Sequence, residues 1–120
     1  MNARTAPAQL LPDQALAQLD QVWDARILPQ LEDYIRIPAK SPMFAPDWEA
    51  EGLLDTVVRR AADWVLAQKL DGLRLDIVRL PGRTPVLFFE VAATRPASGQ
   101  SVLMYGHLDK QPEFNGWRND

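Results

Sequence analysis

Residues 73–92 read LRLDIVRLPGRTPVLFFEVA, and this stretch decides the fold class because apolar residues stop recurring at helical spacing there. Residues 73–77 alternate apolar and polar side chains, which is typical of a strand covered on one face. The PGRTP segment at 81–85 has the length and composition of a hairpin connection. Residues 86–92 are almost wholly apolar, which predicts a strand buried on both faces. SVLMY at 101–105 predicts a third strand of the same buried kind.

Two helices are predicted before these strands. The first is capped by Asp13 and ends before Pro38, since a residue that precedes proline disfavours the helical conformation. Pro29 lies inside its pattern and has no backbone N–H, so we expect a kink or a restart of the helix there. The second helix is capped by Asp47 and ends near Gly72. The apolar residues that define the first helix are Leu16, Leu19, Trp23, Ile27, Leu31 and Ile35.

The composition indicates one globular domain at most and excludes several classes of function. The 120 residues are 47% hydrophobic and 24% charged, and 13 Lys plus Arg against 16 Asp plus Glu give a net charge of -3. This balance offers no basic surface for nucleic acid or for an anionic membrane. Because there is no cysteine, disulfides and thiolate zinc sites are excluded. The N-terminus lacks the apolar core of a signal peptide and no run is long enough to span a membrane, so we expect a cytoplasmic protein.

The predicted sheet has too few neighbours to be complete. Residues 1–12 are expected to form a flexible lead-in, and residues 13–120 to form part of a single domain. A sheet whose strands are buried on both faces needs a covering layer on each side, and two helices are too few to provide both layers. Only the loop at 106–120 follows the last strand. The fold expected is therefore α/β, with two helices and then three strands of an incomplete mixed sheet, as the N-terminal portion of a larger domain.

His107 is the one histidine of the chain, and Asp109 follows two residues later. Both lie just past the third predicted strand, where open α/β sheets bind ligands. In an extended chain positions 107 and 109 point to the same side, so the carboxylate could reach one imidazole nitrogen and leave the other for a metal. A lone histidine after a strand is nevertheless more often a hydrogen-bonded structural residue, and a single histidine makes no zinc site.

The residues around this pair add a resemblance to a known family. YGHLDKQP at 105–112, followed by NGW at 115–117, resembles the signature of the dinuclear zinc metallopeptidases that include carnosinase, aminoacylase, carboxypeptidase G and succinyl-diaminopimelate desuccinylase. Softer similarity is found in YIRIP at 34–38, AQKLDGL at 67–73 and PGRTPVL at 81–87. The similarity covers roughly residues 15–120.

The resemblance implies the N-terminal portion of a zinc-exopeptidase-like catalytic domain that holds two zinc ions. It implies that His107 is a metal ligand and that Asp109 is a catalytic residue that orients this histidine. The activity implied is that of a zinc-dependent metallopeptidase or amidohydrolase that cleaves amide bonds of dipeptides or N-acyl amino acids, with the dipeptidase branch as the better fit. The family's other ligands lie downstream of the His-x-Asp motif, so we expect these 120 residues to be inactive alone. Lys110 and the segment 39–41 depart from the family's usual residues.

A second interpretation needs no catalysis. An uncovered apolar sheet edge pairs readily with another chain, so the protein could be a non-catalytic α/β interaction module, and a homo-oligomer is possible in either case. The acidic residues outside the His-x-Asp motif do not replace the missing ligands: those of the second helix are typical of a solvated face, and Glu90 is typical of a hydrogen-bonded or edge residue. The helix residues are Glu49, Glu51, Asp55 and Asp63.

Overall fold

The computed structural model describes residues 11–93 and 101–116. The chain divides into two compact units, one that ends at Arg36 and one that begins at Ile37. The first is helical, and the second is α/β with a two-stranded antiparallel sheet. Most of the expected lead-in, the turn at 94–100 and Trp117 lie outside the described residues. Within the described part of the chain, no helix has both the length and the apolar character that a membrane span requires.

The first unit contains helix α1 (Pro12–Val22), a π-helical segment (Trp23–Ile27) and helix α2 (Leu28–Ile35). The irregularity expected from Pro29 is confirmed, because the π-helical segment leads directly into the turn that holds this proline. The Leu28 N–H donates to the Trp23 carbonyl, five residues back, as in a π-helix. Helix α2 ends before Pro38, as the sequence predicts.

The N-terminal cap of α1 is not the one expected. The cap position is Leu11, whose backbone is extended, and Asp13 lies inside the first turn. Pro12 explains this shift, since proline is favoured at the first helical position, where no N–H is needed. Asp13 still places negative charge at the positive end of the helix dipole.

The second helix of the prediction is two helices, α3 (Trp48–Glu51) and α4 (Leu53–Ala67). They are separated by Gly52, whose φ of 65° lies in the left-handed region that favours glycine. Asp47 makes no side-chain cap at the start of α3, contrary to the expectation. Gly72 has the left-handed backbone expected of it, with φ of 74°, but lies beyond the end of α4 in the turn that leads into the sheet.

Strands β1 (Leu73–Val78) and β2 (Val86–Val91) form an antiparallel hairpin in which Leu73 lies opposite Val91. Strand β1 alternates half-buried and exposed residues, so the prediction of one covered face is confirmed. The prediction that β2 is buried on both faces is wrong, because only Leu87 is half-buried and Phe88 is 51% exposed. One helix layer, α4, contacts both strands and can cover a single face.

The third predicted strand is absent from the described sheet. Residues 101–105 have no regular secondary structure, and Val102, Leu103, Met104 and Tyr105 are 86–93% exposed. The expected mixed sheet is therefore two-stranded and antiparallel. An apolar run predicts a buried strand only if covering layers are present, and the described residues provide no second layer for this segment.

The core of the second unit lies along one face of α4. Leu54, Val57, Val58 and Ala62 are buried at the three- and four-residue spacing of an amphipathic helix. Among the residues that the structure describes, the remaining buried apolar one is Ala39, which is 1% exposed. The short segment around Ala39 is thus fixed against the core although it belongs to neither a helix nor a strand.

Candidate metal site

The His107 ring faces Asp109 through one nitrogen. Nδ1 lies 3.2 Å from the Asp109 carboxylate Oδ1 and 3.1 Å from the Asp109 carbonyl oxygen. Two acceptor oxygens beside one nitrogen assign the imidazole proton to Nδ1, because an unprotonated nitrogen would repel both. The contact expected from the two-residue spacing is therefore present, and the lone pair of the neutral ring is at Nε2.

The ring is accessible and Nε2 is available. The His107 side chain is 63% exposed, and Nε2 makes no hydrogen bond to the described residues. A neutral imidazole that donates from Nδ1 to a carboxylate is the usual state of a metal-binding histidine. The pair consequently fits the role of one zinc ligand with its orienting carboxylate.

A backbone bridge, and not a strand end, anchors the residue that directly follows this pair. The Lys110 N–H donates to the Ala39 carbonyl at 2.9 Å, and the Ser41 N–H donates to the Lys110 carbonyl at 2.9 Å. These bonds make an isolated parallel bridge between Lys40 and Lys110. Because Ala39 is buried, the bridge ties the residue next to Asp109 to the core of the second unit.

An ion pair makes a second connection between the same two segments. Lys40 Nζ lies 2.8 Å from Glu113 Oε2, and the hydrogen bond from Lys40 lowers the pKa of the Glu113 carboxyl below its ordinary value. Burial lowers the pKa of the Lys110 ammonium. The ion pair of Lys40 with Glu113 thus adds a side-chain contact to the backbone bridge between the same two segments.

The remaining carboxylates discussed above do not join the site. Asp55 accepts hydrogen bonds from Arg59 and Arg79, which both lower the pKa of its carboxyl, Arg59 more strongly. Glu90 lies opposite Arg74 in the hairpin, with 3.2 Å between its carboxylate and the guanidinium, so it forms an ion pair across the two strands. Among residues 11–93 and 101–116, no cluster of three or more histidine or acidic side chains could hold a metal ion. The described residues supply one ligand and its support, not a full coordination shell.

The sequence could have indicated one of these contacts but not the others. Asp55 and Arg59 have the four-residue spacing of an ion pair on a helix, so this pair could have been recognised. Nothing local connects Lys40 with Lys110 or Glu113, because their contacts depend on the path of the chain between them.

No protein-family model matches the chain, and a search of curated proteins found no match. The resemblance to dinuclear zinc metallopeptidases therefore stays a prediction from the motif around His107.

Proposed function

We propose that this chain supplies a zinc ligand, His107, and its orienting carboxylate, Asp109, to a metallohydrolase that cleaves amide bonds of dipeptides or N-acyl amino acids. The observation that supports the proposal is the Nδ1 contact with Asp109, which leaves the Nε2 lone pair for a metal. The substrate class follows from the motif's resemblance to the dinuclear zinc metallopeptidases.

In this function the residues of the chain prepare the ligand. Asp109 holds the ring in one tautomer and one orientation, and its negative charge makes Nε2 a stronger donor to a cation. Zinc, when bound, polarises an amide carbonyl and makes a coordinated water acidic. Zinc takes about four ligands, so the proposed metallohydrolase needs further ligands that the described residues do not supply.

The metal role can be tested on the chain itself, because His107 is the only imidazole. Titration with ZnCl₂, followed by calorimetry and by the imidazole NMR signals, is expected to show weak binding that His107→Ala abolishes. Asp109→Asn should weaken binding by about tenfold or more, the usual effect of losing an orienting partner. Asp63→Asn, an exposed change on α4, is the matched control and should bind as the wild type does.

Equal zinc affinity of the wild type and His107→Ala would rule out His107 as a ligand. Activity gives a second criterion. We expect the 120-residue chain to hydrolyse no dipeptide in the presence of zinc. If it does, and if His107→Ala abolishes the activity, the chain forms a working metal site without further ligands.

A second candidate function, self-association as an interaction module, is favoured by a different observation. Leu103 is 91% exposed and Tyr105 93% exposed, within a continuous apolar segment. Exposed apolar segments of this kind commonly mark a surface that another chain covers. The proposed partner is a second copy of this chain. In the dimer the exposed apolar segments of the two copies would cover each other.

Sedimentation velocity over a range of concentrations tests this candidate. Self-association that Leu103→Lys weakens, and that Leu80→Lys at another exposed apolar position leaves unchanged, would support it. A monomer at all concentrations would exclude the module and leave the metallohydrolase proposal untouched.

A further inference from the structure

We propose that Lys40 is a positioning residue for the His107–Asp109 pair and acts by holding Glu113, at the far end of the loop of residues 107–113. The inference rests on the proposed function of the pair and extends it to a residue that the motif does not contain. Lys40 lies 67 positions before His107 in the sequence, so only the folded chain connects them.

The position of Lys40 is itself well determined. Its two neighbours, Ala39 and Ser41, make the backbone hydrogen bonds of the bridge to Lys110, and Ala39 is buried in the core. The Lys40 side chain is 30% exposed, so much of its stem is covered. A partly covered lysine loses less conformational freedom on forming an ion pair than a fully solvated one does.

The ion pair adds a restraint that the bridge lacks. The bridge fixes the loop at Lys110, directly after Asp109, and no further backbone ladder follows on either side of it in the described chain. The 2.8 Å contact from Lys40 Nζ to Glu113 Oε2 fixes a second position, three residues later. With Lys110 and Glu113 both fixed, the segment after Asp109 has fewer conformations than the bridge alone would leave it, and the proposed effect on the Asp109–Nδ1 contact acts through the backbone of Lys110.

The test uses the full chain and its single imidazole. In metal-free protein, long-range ¹H–¹⁵N spectra report which ring nitrogen of His107 carries the proton. Lys40→Met removes the charge and keeps most of the stem, and Glu113→Gln removes the partner's charge. Both are expected to shift the ring signals toward those of a free histidine and to weaken zinc binding by about two- to fivefold, the range for one exposed ion pair.

Two control variants separate positioning from general stability. Lys40→Arg keeps a cation and should retain the wild-type ring signals. Glu90→Gln removes a comparable ion pair, that with Arg74 in the hairpin, and should leave the ring unchanged.

Unchanged ring signals in both Lys40→Met and Glu113→Gln, with the circular dichroism spectrum intact, would overturn the inference. So would an equal change in Glu90→Gln. The metal-free spectra also keep the two proposals distinguishable: if His107→Ala binds zinc as the wild type does, the proposed function fails, whereas the tautomer measurement still decides whether Lys40 positions the pair.

Discussion

The carboxylate of Asp55 connects two elements through two arginines. Arg59 lies one turn later on α4, and Arg79 follows β1 directly, with its Nε 2.8 Å from Asp55 Oδ1. Both guanidinium groups donate to the charged carboxylate, and this lowers the pKa of Asp55 in the folded protein. Folding thus favours the ionised form of this side chain.

Asp55→Asn should reduce the free energy of unfolding at neutral pH by about 1 kcal/mol or less, since the pairs are partly exposed. Because the folded-state pKa is below the unfolded value, the contribution of Asp55 is fully present above about pH 4 and is lost as the pH falls through the folded-state pKa. The wild type and the variant should therefore converge in stability as urea unfolding is measured from about pH 7 down to about pH 3. Asp63→Asn serves as the control, and a constant difference between Asp55→Asn and wild type at all pH values would contradict this account.

At the scale of the element, the hairpin depends on a close approach between its entry and its exit. Gly72 precedes β1 with φ of 74°, and its carbonyl accepts a 3.2 Å hydrogen bond from the Ala92 N–H after β2. A Cβ at position 72 would lie 3.1 Å from the Ala92 Cβ. Gly82, in the connection between the strands, has φ of 66° and open space around it.

The two glycines form a matched pair. Gly82→Ala should cost about 1 kcal/mol, for the left-handed backbone alone. Gly72→Ala should cost more, about 2 kcal/mol, because the Ala92 contact is added to the same backbone strain. Urea unfolding of both variants measures the difference, and equal costs would show that the ends of the hairpin are not in close contact.

Helix α4 gives the second unit its core. Val57 is 1% exposed on the buried face of α4, whereas Val102 in the predicted third strand is 89% exposed. Val57→Ala should reduce the free energy of unfolding by about 2 kcal/mol, for the lost methyl groups and the cavity left behind. Val102→Ala should change it by less than about 0.5 kcal/mol, as other surface substitutions do. Equal losses in thermal or urea unfolding would instead place residues 101–105 in a buried strand.

At the scale of the whole molecule, the two units differ in how much they bury. None of the residues in α1, the π-helical segment or α2 is buried, and Leu16 and Ile35 of their apolar stripe are 59% and 66% exposed. All the buried apolar residues of the described chain belong to the second unit. Short helices owe most of their stability to tertiary packing, so the first unit should open more readily.

Hydrogen exchange followed by mass spectrometry measures this difference. Amides of α1 and α2 should have protection factors at least about tenfold lower than those of α4 and the hairpin, because local opening exposes little that was buried. Val57→Ala should lower protection in α4 and the hairpin. Equal protection in both units would mean that the apolar stripe of α1 and α2 is covered in solution.

The helices, the hairpin and the His107–Asp109 contact followed from the sequence because each depends on residues close together in the chain. Helical and strand periodicity, the missing N–H of Pro29 and a two-residue spacing act over short distances. The third strand was wrongly predicted from equally clear apolar character. SVLMY is buried only if other helices or strands cover it on both sides, and the composition of the segment gives no information about whether they do.

The amino-acid sequence by itself determined that helices precede a β-hairpin, the absence of cysteine chemistry and the pairing of one imidazole with one carboxylate. The tertiary structure decided where that pair is anchored, since the residue that directly follows it is held by the bridge between Lys40 and Lys110 and not by a strand end. It also decided that Asp55 pairs with Arg79, 24 positions away. The physical reason is that hydrogen bonds and ion pairs between distant residues depend on the path of the chain between them, whereas local contacts need only the geometry of a few successive residues.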